Sequence, residues 1–349
     1  MGNLKWKIYF MAVIMLVFVP ILSANSASTP SPENPIKLTY GGLYGKNHPY
    51  SLAAQNWMKK IEKETGGRVR FTAYWGGSLF GPKDSWDELV KGVVDVTGTG
   101  GGHEYATAGF AIQRVAGAFF YGMSDAEVAR RVYKEIFNKF PAVRSEFDGV
   151  KVIAVGCVSP YRFLTKNPVN TLKDLKDVMI RCTGADVAFL KGIGAEPVVM
   201  PMGEAYVSLE KGIIQAIWAP VETLKSLRFA EVAKYVSENS WLPWAYPKGE
   251  MNIKAYNNLP PDIRKIFDES GDYWGREISN QFLKLDKAGI KFGEEQGVTF
   301  FKLAPQDLKK IDDVREAVAL QVAAELDAKG LPGTAIFKEV RLLIEKYNK

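Results

Sequence analysis

Ser159-Pro-Tyr-Arg-Phe-Leu-Thr-Lys-Asn-Pro-Val169, then Leu172-Lys-Asp-Leu-Lys-Asp-Val-Met-Ile-Arg-Cys-Thr-Gly184, is the stretch that decides how this chain is read. Val178, Met179 and Ile180 form a short apolar strand, and Arg181 ends it where Cys182-Thr183-Gly184 can open a helix. A guanidinium at a strand tip, facing backbone N–H groups at a helix start, suits a carboxylate. Its planar fork takes both oxygens, which a lysine cannot do. A surface arginine held in an ion pair is the other reading of the same residue. The stretch closes with Met202-Gly-Glu-Ala-Tyr206 and Gly212-Ile-Ile-Gln-Ala-Ile-Trp-Ala-Pro220, reaching Glu222.

Outward from there, 349 residues, 47% hydrophobic and 24% charged, are enough for one large or two medium cores. Lys5 and Lys7, an apolar run from Ile8 to Leu22, and Ser23-Ala-Asn-Ser-Ala-Ser read as a secretory signal peptide over residues 1–26. The run is too short for a spanning helix and Pro20 interrupts it, although an uncleaved anchor is the other reading. Cleavage takes away two lysines, so the formal charge drops from +6 (45 − 39) to +4 (43 − 39). That balance carries no run dense enough for nucleic acid. Cys157 and Cys182 stay in the mature chain, and sequence leaves open whether they are bridged or are buried thiols.

Residues 25–35 read as a flexible leader, and Ile36-Lys-Leu-Thr-Tyr40 as a first strand. A loop through Tyr44 and His48, a helix over 51–65 and a second alternating strand from Arg68 to Trp75 follow. This β–loop–α–β order predicts a parallel sheet with ligand-binding loops at the strand C-terminal ends. Gly76-Gly-Ser-Leu-Phe-Gly81 lacks the lysine of a phosphate loop and the spacing of a nucleophile elbow, so it is a turn. His48 and His103 are too few for a metal site, and both sit in loops that would face a cleft, with Glu104 beside the second. Val150 to Val158 is a nearly continuous apolar strand. The apolar stripe from Asn258 to about Gly297 exceeds an ordinary globular helix and predicts one element spanning two lobes.

Leu175-Lys-Asp-Val-Met-Ile-Arg-Cys-Thr-Gly184, Gly194-Ala-Glu-Pro-Val-Val-Met-Pro-Met-Gly-Glu-Ala-Tyr206 and Leu209-Glu-Lys-Gly-Ile-Ile214 together resemble the signature region of TRAP-transporter solute receptors. The likeness covers nearly all of the mature chain. It implies an α/β, two-lobed periplasmic binding protein of type II-like architecture with a long helix spanning both lobes. The implied boundaries are 36–158 for lobe I, with 248–287 returning to it, and 159–247 for lobe II, with 288–349 returning to it. Arg181 would take the ligand's carboxylate. Arg162 matches a second arginine of the family's site by its place before Leu164-Thr-Lys-Asn-Pro168. Tyr44, Trp75, Thr183 and Trp218 would shape the rest, with His48, His103 and Glu104 as further contacts.

One departure bears on the ligand. Where many relatives carry Asp-Gly-x-Glu-Asn, this chain has Gln215-Ala-Ile-Trp-Ala219. Ala219 stands in place of the ligand-contacting asparagine and Trp218 adjoins it, which points to a less polar, aromatic or branched acid unless Trp218 only packs. The function implied is a receptor that captures a small organic acid and delivers it to a membrane permease, with no cofactor. A sensing module for a kinase would share fold and ligand. A secreted hydrolase lacks any nucleophile–base arrangement.

Overall fold

The computed structural model describes residues 29–98, 109–241 and 245–349. The signal peptide, His103, Glu104 and Trp244 lie outside them. Among the described residues no helix is long and apolar enough to cross a membrane.

Two sheets organise the chain. The first has the order β2-β1-β3-β10-β4, from β1 (Ile36–Gly41), β2 (Val69–Tyr74), β3 (Val96–Thr97), β4 (Val150–Gly156) and β10 (Tyr246–Asn252). β1 runs parallel to β2 and β3, as the β–loop–α–β order requires, and β10 returns antiparallel between β3 and β4. The second has the order β11-β9-β5-β8-β6-β7, from β5 (Tyr161–Thr165), β6 (Met179–Cys182), β7 (Glu196–Val199), β8 (Ala216–Pro220), β9 (Tyr235–Ser237) and β11 (Thr299–Phe301). The chain therefore crosses between sheets after β4, returns after β9, and crosses again before β11.

The last crossing is one helix, Pro261–Glu295, of 35 residues. Proline at its start costs nothing there, since the first-turn N–H groups have no intrahelical partner. Its first half packs on the first sheet: Trp274 stacks on Trp57 with ring centroids 4.1 Å apart, and Trp57 donates its indole N–H to Ser270 Oγ at 2.8 Å. Close approach depends on glycine. A Cβ at Gly271 would stand 1.9 Å from the Ile153 carbonyl oxygen, and one at Gly275 2.1 Å from that of Val155. The same device recurs in the second half, where a Cβ at Gly289 would stand 2.6 Å from the Val221 carbonyl oxygen. Gly293 is likewise closed in by Leu224. So the helix lies against backbone in both lobes.

The cores follow the sheets. Trp57, Ile61, Val69, Ile263 and Phe267 fill one under the first sheet. The second sheet has a core on each face: Phe163, Ile180, Cys182 and Trp218 on one, Leu164, Ile217, Ala219 and Val236 on the other. Period-two alternation along β5, β6 and β8 sends neighbours to opposite faces. One expectation needs correcting. Residues 288–349 do not all return to the second lobe, because the closing helix Gly333–Tyr347 packs on Ala126–Lys139. Its stripe of Ile336, Val340, Leu343 and Ile344 shares one core with Val128, Val132 and Ile136. The helix Pro305–Ala328 bridges, with Ile311 in the second lobe's core and Val318, Val322 and Leu326 in the first's. Cys157 and Cys182 are separate buried thiols, each pushed up to about 12 by burial.

Candidate functional site

Arg181 is the third residue of β6. Ile180 and Cys182 on either side point into a core, so alternation puts the guanidinium on the other face, toward the gap between the sheets. It is 2% exposed, and its Nε–H donates to the Met200 carbonyl oxygen at 3.0 Å, which fixes the fork. The cavity it lines draws on both lobes. Leu43, Tyr44, His48 and Tyr50 come from the end of β1 and the first helix. Thr183, Met202, Pro220 and Glu222 come from the second sheet's loops, and Phe282 from the long helix. Tyr161 and Tyr246 stand at the crossings.

The aromatic wall is built on one histidine. His48 caps the first helix, its Nδ1 accepting the Tyr50 N–H at 3.3 Å. Its ring stacks on Tyr44 with centroids 4.0 Å apart, and Tyr50 meets Phe282 edge-on at 4.9 Å. Burial holds the imidazole neutral, down to about 3. A neutral ring that accepts at Nδ1 carries its proton on Nε2, so it is a donor, not a cation. Behind the wall lies Lys248, 1% exposed, its ammonium 3.2 Å from the Tyr246 ring centroid.

The acid in the cavity is held uncharged as well. Glu222 is 1% exposed, and burial pushes its carboxyl up to about 8. Its Oε2 is buried without a hydrogen-bond partner. Its backbone N–H donates to Asp286 Oδ1 at 3.1 Å, an oxygen that also accepts the Ser159 hydroxyl at 2.9 Å. Burial lifts Asp286 to about 6 against the hydrogen bonds from Ser159 and the Glu222 N–H, and the Asp286 charge adds to the rise at Glu222. At neutral pH, Arg181 is thus the charged group among the cavity's described lining residues. Such a site attracts a small anion, offers it a fork, and surrounds its body with rings.

The residues named from sequence divide. Arg181, Thr183, Tyr44 and His48 lie around this cavity. Arg162 is not in the lining: it reaches from β5 to the end of the neighbouring β9, donates to the Ser237 and Glu238 carbonyl oxygens at 2.8 and 2.6 Å, and acts electrostatically on Asp286. Trp75 leans on Tyr40, centroids 5.1 Å apart, and is not in the lining. Ala219, opposite Arg162 in the ladder, is fully buried on the same face of the second sheet as Arg181 but is not in the lining. Trp218 lines a neighbouring cavity instead and donates its indole N–H to Asp186 Oδ1 at 3.2 Å. His103 and Glu104 lie outside the described residues. Among those, no cluster of three or more His, Cys, Asp or Glu could hold a metal. Sequence reasoning missed Tyr50, Tyr161, Glu222 and Phe282. Of these only Glu222 left a trace, as a lone acid directly after an apolar strand.

Comparison with known proteins agrees with this architecture. The sequence model of bacterial extracellular solute-binding proteins, family 7 (DctP), matches residues 40–325. The 2,3-diketo-L-gulonate-binding periplasmic protein YiaO of Escherichia coli K12 is 24% identical over 341 residues, 96% of this chain and 94% of that one. A TRAP solute-binding protein of Rhodoferax ferrireducens, solved with copurified benzoate, is 26% identical with a TM-score of 0.77. That match covers 89% of this chain and 98% of the other. A TRAP periplasmic protein of Desulfovibrio salexigens in an open complex is 25% identical, TM-score 0.71, covering 90% and 97%.

Proposed function

The chain belongs to family 7 of the bacterial extracellular solute-binding proteins, and from that premise we propose that it captures a small organic acid in the Arg181 cavity for a TRAP permease. The observation that carries this is Arg181 itself: a buried guanidinium, fixed by the Met200 carbonyl, in a cavity walled by both lobes. The carboxylate sits on the fork, and His48 Nε2–H is within the same wall as a further donor. Tyr44, Tyr50, Tyr161 and Phe282 enclose the body. Rings on several sides favour an acid with a planar or apolar body over a polyol, and the benzoate held by the Rhodoferax protein is of that kind.

Because the walls come from two sheets, a ligand that touches both favours the closed arrangement by the difference in its affinity for closed and open forms. The permease then meets a surface that depends on occupancy. This reading makes the protein a periplasmic binder rather than a catalyst, working without a cofactor and exported through the leader at 1–26. A thermal-shift and calorimetric screen of organic acids on wild type and Arg181→Ala tests it. Wild type binds a carboxylate, and the variant loses about 2–5 kcal/mol of that binding, the usual cost of removing one partner of a desolvated pair. Equal binding by both proteins overturns the assignment.

A further inference from the structure

Tyr161 lines a second chamber as well as the first. This one lies between the 3-10 turn Ala116–Phe119 and the second sheet. Its walls are aromatic: Phe120 and Tyr121 from the first lobe, Phe189, Trp218 and Trp241 from the second. A chain of hydrogen bonds partitions it from the Arg181 cavity. Thr183 Oγ1 donates to Asp186 Oδ2 at 2.8 Å, and Trp218 Nε1 donates to Asp186 Oδ1 at 3.2 Å, so both oxygens of Asp186 are engaged.

Into this chamber the helix Pro305–Ala328 sends Arg315. Its guanidinium carbon lies 4.6 Å from the Phe189 ring centroid and 5.9 Å from that of Trp241. Rings over the flat face leave the in-plane N–H edge to find a partner. Among the described residues it makes no ion pair, and its Nε is buried without a hydrogen bond. Asp186 and Asp312 act on it through space only, and burial lowers it to about 10. Arg315 is half-buried, and because the Asp186 carboxylate in the same lining is engaged by Thr183 and Trp218, the Nε–H edge is left to meet an anion.

We propose that the Arg315 chamber is a second ligand site, which takes a small aromatic carboxylate with its carboxylate on the edge of Arg315 and its ring among Tyr121, Phe189, Trp218 and Trp241. The geometry matches the ligand's own: a planar anion lies in the plane of the guanidinium, and its ring continues into apolar walls. Occupation joins the two lobes at a place separate from Arg181. The site does not depend on which acid Arg181 holds.

Benzoate titrations of wild type, Arg315→Met and Arg181→Met by calorimetry, followed in parallel by tryptophan fluorescence, test this. Methionine keeps apolar contact with Phe189 and Trp241 and removes only the charge. Wild type takes two benzoate ions per chain. Arg315→Met loses one of them, with affinity for it falling about ten-fold or more, while Arg181→Met keeps it. Superposable isotherms for wild type and Arg315→Met overturn the site and leave the Arg181 reading standing. Should Arg315→Met not fold, wild-type crystals soaked in 4-bromobenzoate decide alone. A bromine anomalous peak in the Arg315 chamber supports the site. A peak only beside Arg181, or none, overturns it.

Discussion

Glu222→Gln isolates one proton. Glutamine keeps the shape of the protonated side chain and cannot ionise. In the folded protein the carboxyl titrates at about 8, against an ordinary value of 4.5, because burial disfavours the anion. Between those values the folded state holds a proton that the unfolded state has released. Stability therefore falls as pH rises through this window, and the loss saturates above the folded value. Asp286 has the same sign but finishes at about 6, and His48, lowered from 6.5 to about 3, finishes at 6.5 with the opposite sign. From pH 6.5 to 8 the slope thus belongs to Glu222 among these three. One pH unit corresponds to about 1.4 kcal/mol, and the slope flattens near 8. The free energy of unfolding of wild type minus that of Glu222→Gln should then drop by about 1.5–2 kcal/mol across the window. Urea denaturation at four pH values, with m-values checked for constancy, measures it. A flat difference would mean that Glu222 is ionised in the folded protein, and the account of an uncharged acid beside Arg181 would fail.

Other consequences are quicker to check. An anion entering beside Glu222 raises that carboxyl further, so binding at pH 8 takes up a fraction of a proton; calorimetry in phosphate and in Tris should give different heats, and identical heats refute the linkage. Arg162→Ala removes the bonds to the Ser237 and Glu238 carbonyls, so it should lower the melting temperature and leave carboxylate affinity within about three-fold, roughly 0.6 kcal/mol. A loss as large as that of Arg181→Ala would return Arg162 to the site. Gly271→Ala forces a methyl to within 1.9 Å of the Ile153 carbonyl and should cost at least about 1–3 kcal/mol in denaturant unfolding; an unchanged midpoint refutes the close contact.

Much of this arrangement could be read from sequence because its signals are local. The strand at Ile36, the run Val150–Gly156 and the stripe that became Pro261–Glu295 are set by residues two, three or four apart. Arg181 announced itself as a charge ending an apolar strand. What stayed hidden depends on partners far along the chain. The Glu222 backbone N–H is bonded to Asp286, which is 64 residues later on another element. Arg315 sits beside the stripe of Ile311, Val318 and Val322, where sequence reads an ordinary solvated arginine, until Phe189 and Trp241 are brought over it. The hydrogen bonding of Arg162 has the same origin. Its neighbours in sequence resemble a family motif, but its hydrogen-bond acceptors come from β9 and the residue after it. The closing helix was misplaced for a similar reason, since its apolar stripe does not say which lobe it meets.

The four glycines of the long helix carry a constraint on length. Gly271 and Gly289 are 18 residues apart (289 − 271), as are Gly275 and Gly293. At about 100° per residue that is five whole turns, so both pairs look the same way. Adding or deleting one residue between them would swing the second pair about 100° off the surface it touches. The spacer between the lobes therefore tolerates changes of composition on its outer side, but changes of length only in steps that restore the phase.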